Sequence, residues 1–476
     1  MNRKIIYTII IIQTVILISA VMIGHTIGKT QSLSGHSNSY DFSLIKDALQ
    51  LITDNYRNKE SVDQEKLMYG AVKGMVESLD EDDPYNQFLA PDMYKDMMDD
   101  TTGKFGGLGI KIGMTKVDGR DQLTVISAFE GNPAHKAGIQ PGDLILEIDG
   151  KSTFGISLYD AKRKLRGEPG TKVDLKIQRE HEDEPLTFSI IRDIIQISTV
   201  KYKTLDNIAY VRLMQFSDTT TKDFDKTLKA IEDEDVNGIV LDLRSNPGGT
   251  LSSAIDVAGM FLKKGQVVVS TKGRTPEDNK EYKVPKGLYH TDLPLVVLVD
   301  RWSASGSEIV VGAIKDYKRG LIIGSGDKTY GKGSVQKIFP MVDGKCGLKL
   351  TVAYYYTPSG KNINKIGIEP DIKRPVLSSA ELKAYQNLSS SRYLEEFVKE
   401  SGDNVLEVID KSNGNSKDKE RFRILIKKLE SENIKLDESL VKLAIAQKTK
   451  NDIDEYKFDP IIKLAIEQLK SGLAKL

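Results

Sequence analysis

Cysteine occurs once in this 476-residue chain, at Cys346. A single thiol excludes an intrachain disulfide and any zinc site built on several cysteines. Histidine is nearly as scarce, at His25, His36, His135, His181 and His290. None of these lies in a glycine-punctuated loop beside a strand end, the usual setting of a catalytic base. Neither sign of charge is in excess: 68 Lys and Arg balance 68 Asp and Glu, so composition offers no handle for nucleic acid. G-x-S-x-G and G-x-x-x-x-G-K-[ST] are both missing, which removes the common hydrolase turn and nucleotide loop. Internal repeats and long low-complexity tracts are missing too.

One long apolar run is present. Residues 5–27, IIYTIIIIQTVILISAVMIGHTI, carry no charge. At ~1.5 Å rise per residue such a helix spans a ~30 Å hydrocarbon core. Arg3 and Lys4 before it favour a cytoplasmic N-terminus, with everything after residue 30 outside the cytoplasm. The run is long for a signal-peptide core and shows no clean A-x-A site. Residues 1–28 are therefore read as a retained membrane anchor in preference to a cleaved signal. Residues 29–40 form a polar Ser/Gly tether.

Beyond the tether the texture changes three times. Residues 41–102 place apolar side chains at three- and four-residue spacing, which predicts helices. Residues 103–187 alternate short strands with glycine turns, enough for one small domain. Residues 188–375 alternate apolar strands with helices, which predicts a layered α/β core whose active groups lie at strand C-termini. Residues 376–476 return to charged amphipathic helix.

Three strings in the α/β region could carry chemistry. RWSASGSEIVVGA puts Ser307 at the start of a helix, after the strand PLVVLVD. Free N–H groups there suit a developing oxyanion, but Ser before Glu is equally a way to cap a helix. KTYGKGSVQKI holds Lys332 between Gly331 and Gly333. An enclosed lysine loses its charge more easily and can act as a general base, although a G-K-G loop is also an ordinary turn. LDLRSNPGG ends a buried strand in bare backbone N–H groups at Gly248 and Gly249, suitable for an oxyanion hole or for a plain strand-to-helix turn.

The order LDLRSNPGG, SASGSE, GKGSVQ resembles that of the carboxyl-terminal processing peptidases, serine peptidases with a Ser–Lys dyad. The resemblance implies Ser307 as nucleophile, Lys332 as base and Gln336 as the residue that orients it. Gly306 stands where the family has alanine. The amides of Glu308 and of Gly248 or Gly249 are the implied oxyanion donors. FGGLGIKIG and AGIQPGDLILEIDGKS resemble the peptide-binding loop and a following stretch of a PDZ domain, with Gly107, Leu108, Gly109 and Ile110 at the peptide. Arg166 matches an arginine that couples PDZ occupancy to the protease site in related enzymes, or it is simply a cation at a helix C-terminus. The expected fold is thus a multi-domain α/β chain: a layered protease core (188–375), an inserted PDZ domain (103–187) and flanking helical segments (41–102 and 376–476).

The expected activity is that of an extracytoplasmic endopeptidase, anchored in the cell membrane and acting on proteins with accessible C-terminal tails. It needs no metal or cofactor. The family also implies a homo-oligomer, most simply a dimer, built with the flanking helices. A catalytically silent PDZ scaffold and a ligand-binding protein on the same core are the competing expectations. Intact Ser307, Lys332 and Gln336 speak against the first, and the anchor with its inserted PDZ domain against the second.

Overall fold

Residues 295–299 read Leu-Val-Val-Leu-Val, and all five are buried. A strand apolar on both faces belongs in the middle of a sheet covered on each side. The computed structural model, in which it sits there, describes residues 42–476 apart from 80–81, 118–119, 130, 180–181, 183, 197, 289, 342–343, 375–378, 390, 402–404, 411–416, 433, 435, 450–455, 457 and 473–476.

Contacts divide the chain into two units, residues 1–75 and 76–476. The first holds helix α1 (Ser43–Asn55) and most of α2 (Gln64–Glu77), as the apolar spacing predicts. The expected anchor and tether lie outside the described residues. Among those described, no helix is long and apolar enough to cross a membrane.

The second unit begins with strand β1 (Gln87–Leu89) and helix α3 (Pro91–Thr102). Pro91 sits at the first helical position, where its missing N–H costs nothing, and Gly103 closes the helix at φ 68. A small domain follows: β2 (Lys104–Gly107), β3 (Ile110–Val117), β4 (Arg120–Ala128), α4 (Pro133–Lys136), β5 (Leu144–Ile148), β6 (Lys151–Ser152), α5 (Leu158–Leu165), β7 (Lys172–Gln178), β8 (Leu186–Ile191) and β9 (Asp193–Gln196). Its main sheet runs β3-β4-β5-β7-β8. Val173, Leu175 and Ile177 alternate along β7, each fully buried, and with Leu123, Ile145 and Ala161 they make this domain's own core. The expected boundary at 187/188 falls inside β8, which pairs with β7 from Leu186 to Ile191. The antiparallel pair β2–β9 carries the region on to Gln196.

The core region contains β10 (Val200–Leu205), β11 (Ile208–Leu213), α6 (Thr220–Glu232), β12 (Ile239–Asp242), α7 (Leu251–Gly259), β13 (Val267–Gly273), β14 (Lys280–Lys283), β15 (Leu295–Val299), α8 (Gly306–Asp316), β16 (Leu321–Gly324), β17 (Ser334–Pro340), β18 (Gly347–Tyr356) and β19 (Ile372–Lys373). The central sheet has the order β10-β11-β12-β15-β16-β19, parallel from β11 onward. Residues of α6, α7 and α8 cover one face. The other face packs on Ile461, Ile462, Ala465 and Leu469 of the C-terminal helix Pro460–Lys470. The stretch VVVS reads as one more buried strand, but β13 pairs with β14 and β18 in a second sheet, β1-β18-β13-β14, with β17 on β18. Helices between Ser379 and Thr449 bury Leu388, Phe397, Leu425 and Ile445 in a cluster of their own.

Candidate active site

Two loops leave neighbouring parallel strands at the same end of the sheet. Asp242 of β12 pairs with Leu298 of β15, and both chains then enter their loops. The open ends of parallel strands are where such sheets place ligands. The bonds that fasten the loops together include Ser245 N–H to the Asp300 carboxylate at 3.0 Å, Ala304 N–H to Asn246 O at 3.0 Å, and Ser303 Oγ to Leu243 O at 2.8 Å.

The serines of RWSASGSE divide the work. Ser303 is fully buried and holds the two loops together. Ser305 is the N-cap, with φ 54 and ψ −110, a conformation that a side chain rarely adopts. Its N–H donates to a Glu308 carboxylate oxygen at 2.9 Å, one half of a capping box. Capping therefore falls to Ser305, which leaves Ser307 free for another task. Ser307 lies in the first turn of α8, fully buried, and its Oγ donates to Asn246 O at 3.0 Å.

Glu308 joins this helix start to the lysine loop. Its buried carboxylate accepts Thr329 Oγ1 at 2.6 Å, Gly331 N–H at 2.7 Å and Lys332 N–H at 2.8 Å, besides Ser305 N–H. Burial pushes its pKa up, and these donors pull against that. The flanking glycines are needed because another segment passes close by. A Cβ on Gly333 would lie 2.3 Å from Asn364 N, and one on Gly331, at φ 86, would lie 3.0 Å from Gly367 N.

Lys332 is half-buried, and its Nζ lies 4.8 Å from the centre of the Tyr85 ring. Burial holds its pKa below the ordinary lysine range, helped by the Lys349 charge and opposed by Glu308 and Asp83. Among the described residues no hydrogen bond joins Lys332 to Ser307; Glu308 is what brings the two strings to one place. Gln336, on β17, donates to Ser334 Oγ at 2.7 Å and Thr351 Oγ1 at 3.1 Å, and not to the lysine.

The two glycines differ. Gly248, at φ 93, gives its N–H to Asn246 Oδ1 at 2.9 Å, and a Cβ there would meet Ala304 O at 2.7 Å. Gly249, at φ 144, donates its N–H to nothing among the described residues. Asn246 was not legible as a site residue, yet it is fully buried and organises the loop. Its Nδ2 also holds Leu213 O at 2.8 Å. Thr329 and Tyr85 carry no motif of their own and were likewise missed.

In the small domain, Gly107, Leu108, Gly109 and Ile110 line a groove of 480 Å³ between β3 and α5. The N–H groups of Leu108 and Gly109 donate to nothing among the described residues. Arg166, at the end of α5, reaches Asp96 at 3.2 Å and Asp99 at 3.5 Å on α3, and its guanidinium lies 4.1 Å from the Phe105 ring centre. His135 lies on α4 and His290 pairs with Asp292 at 3.0 Å, while His25, His36 and His181 are outside the described residues.

Residues 207–374 match the family model described as peptidase family S41, and residues 125–179 match a PDZ domain. The carboxy-terminal-processing protease of Bartonella bacilliformis is 43% identical over 314 residues, 65% of this chain and 70% of that protein. The chain belongs to the carboxy-terminal-processing proteases. It is a serine-type peptidase of family S41 carrying a PDZ domain. The family's carboxyl-terminal-processing protease from Synechocystis is 36% identical, covering 70% of this chain and 77% of the relative. Carboxy-terminal processing protease CtpB of Bacillus subtilis is 37% identical, covering 71% and 68%. Residues 20–93 match the activating protease CtpB N-terminal domain, a stretch that includes Tyr85.

Proposed function

We propose that this peptidase cleaves with Ser307 as nucleophile and Lys332 as base. The observation that carries the reading is the Glu308 carboxylate, which accepts from Ser305, Gly331 and Lys332 at once and so fixes the serine's helix against the lysine's loop. Neutral Lys332 takes the Ser307 hydroxyl proton as Oγ bonds to the scissile carbonyl carbon. The carbonyl electrons move onto oxygen. When the tetrahedral intermediate collapses, the C–N bond breaks and the lysine gives its proton to the leaving amine. Water then releases the acyl group by the same path. Ser307 Oγ must first leave Asn246 O to meet the lysine. Gly249, whose N–H is unused, and the Glu308 amide, once it leaves the Ser305 side chain of the capping box, are the oxyanion donors we assign; the Gly248 N–H is already taken by Asn246. Gln336 acts on the base through the Thr351 strand, not by direct contact.

In the same reading the groove at Gly107–Ile110 captures a substrate's C-terminal carboxylate on the Leu108 and Gly109 amides, and the peptide adds as a strand beside β3. Arg166 transmits occupancy of that groove to α3. Residues 5–27 anchor the chain in the cell membrane with the catalytic region outside the cytoplasm, and the flanking helices pair two copies. The full chain in detergent, incubated with unfolded casein, tests the core of this. Wild type should produce fragments and Ser307→Ala none; fragments from Ser307→Ala at the wild-type rate would remove Ser307 from the reaction.

A further inference from the structure

Residues 83–86 precede β1 and lie far along the chain from the Lys332 loop, yet the Tyr85 ring faces the lysine Nζ at 4.8 Å. The segment is held firmly. Tyr85 N–H donates to Asp83 Oδ1 at 3.3 Å, and Asn86 Oδ1 accepts the Thr351 N–H at 2.8 Å. Gln87 then pairs with Lys349, so the stretch is stitched to β18, the strand that also receives Gln336. At its tip the Tyr85 hydroxyl faces Tyr330, two residues before the lysine. Burial first, and the neighbouring Tyr330 second, push the phenol up to about 12, so the ring stays neutral. Among the described residues Lys332 Nζ makes no ion pair or hydrogen bond, which leaves this ring as its near partner. The other groups facing it are Lys349 from β18, which disfavours its charge, and Glu308 from α8 with Asp83, which favour it.

We propose that Tyr85 is a positioning residue for the peptidase reaction: its ring holds the Lys332 side chain and stabilises the ammonium that forms when the lysine takes the serine proton. The proposal rests on Lys332 being the base. An aromatic face attracts a cation and not a neutral amine, so the ring strengthens the lysine as a proton acceptor. Without it the lysine is a weaker base that loses its proton at lower pH.

The test is kcat/KM on unfolded casein across about pH 6 to 10 for the full chain, comparing wild type, Tyr85→Phe, Tyr85→Leu and Lys332→Ala. Tyr85→Leu should move the rising limb down by roughly half a unit to one unit and lower the plateau. Tyr85→Phe, which keeps the ring but not the hydroxyl, should keep the wild-type midpoint. An unmoved limb in Tyr85→Leu overturns the proposal, as does a Tyr85→Phe limb displaced equally far. Should Tyr85→Leu fail to fold by circular dichroism, Tyr85→Met gives the same comparison. Lys332→Ala separates the two ideas: if it is inactive and the Tyr85→Leu limb has not moved, only the role of Tyr85 falls. If it is active, the base assignment falls and this proposal with it.

Discussion

In the proposed reaction Ser307 and Lys332 make two different demands, and the residues around them answer each. A serine needs a fixed trajectory, which Ser305 supplies by absorbing both the cap and the strained backbone. A lysine needs to lose its proton near neutral pH, and the lowered pKa of Lys332 comes first from burial and second from the Lys349 charge. Lys349 can therefore be separated from the chemistry. Lys349→Met removes a positive neighbour, so the Lys332 ammonium becomes easier to keep and its pKa rises. The rising limb of kcat/KM should then move to higher pH, read from the same casein assay. The limb moves opposite to that of Tyr85→Leu because one neighbour repels the ammonium and the other attracts it.

At the scale of elements, the loop after β12 depends on a helix from the end of the chain. Arg244 bonds to both carboxylate oxygens of fully buried Asp242 and reaches Asp459 at 2.8 Å. Asp459 also caps the C-terminal helix, accepting Ile461 N–H at 2.8 Å and Ile462 N–H at 3.2 Å. Asp459→Ala removes a cap and one partner of a largely buried guanidinium. About 2 kcal/mol of core stability should be lost, seen as a lower urea midpoint for the transition that reports β12 and the helix. The bond between Arg244 and Asp459 was not legible because it links residues 215 positions apart. Local patterns are a different matter. Ile239–Leu241 and Leu295–Val299 are buried on both faces as their apolar runs require, whereas VVVS gave the same signal and went to the other sheet. An apolar run reports burial, and only the pairing partners decide which sheet receives it.

Across the whole second unit, the groove at Gly107–Ile110 and Ser307 lie in separate domains, and α3 leads from β1, paired with β18, into the domain of the groove. Gly109 sits at φ 71, and a Cβ there would lie 2.3 Å from Asn132 Cβ, so no side chain fits the loop. Gly109→Ala should lower the affinity of a fluorescent peptide with a free C-terminal carboxylate at least tenfold by anisotropy, with the core's circular dichroism unchanged. The same peptide amidated at its C-terminus should bind weakly to wild type. The string FGGLGIKIG marks a loop by resemblance, whereas the steric need for Gly109 comes from Asn132, 23 positions on. The Arg166 pairs with Asp96 and Asp99 were readable only on one side, since nothing in PDMYKDMMDD marks those carboxylates as partners of a distant arginine. Asn246 and Tyr85 were harder still. Their roles arise from contacts that exist only once distant strands are paired.

The central claim is that a lysine does the work a histidine does in most serine peptidases. The measurement that bears on it most directly is casein cleavage by full-chain Lys332→Ala beside wild type, with matched circular dichroism. Loss of at least a hundredfold in kcat/KM with the fold intact is the predicted result. Turnover at the wild-type rate would contradict it and send the search for the proton acceptor elsewhere in the site.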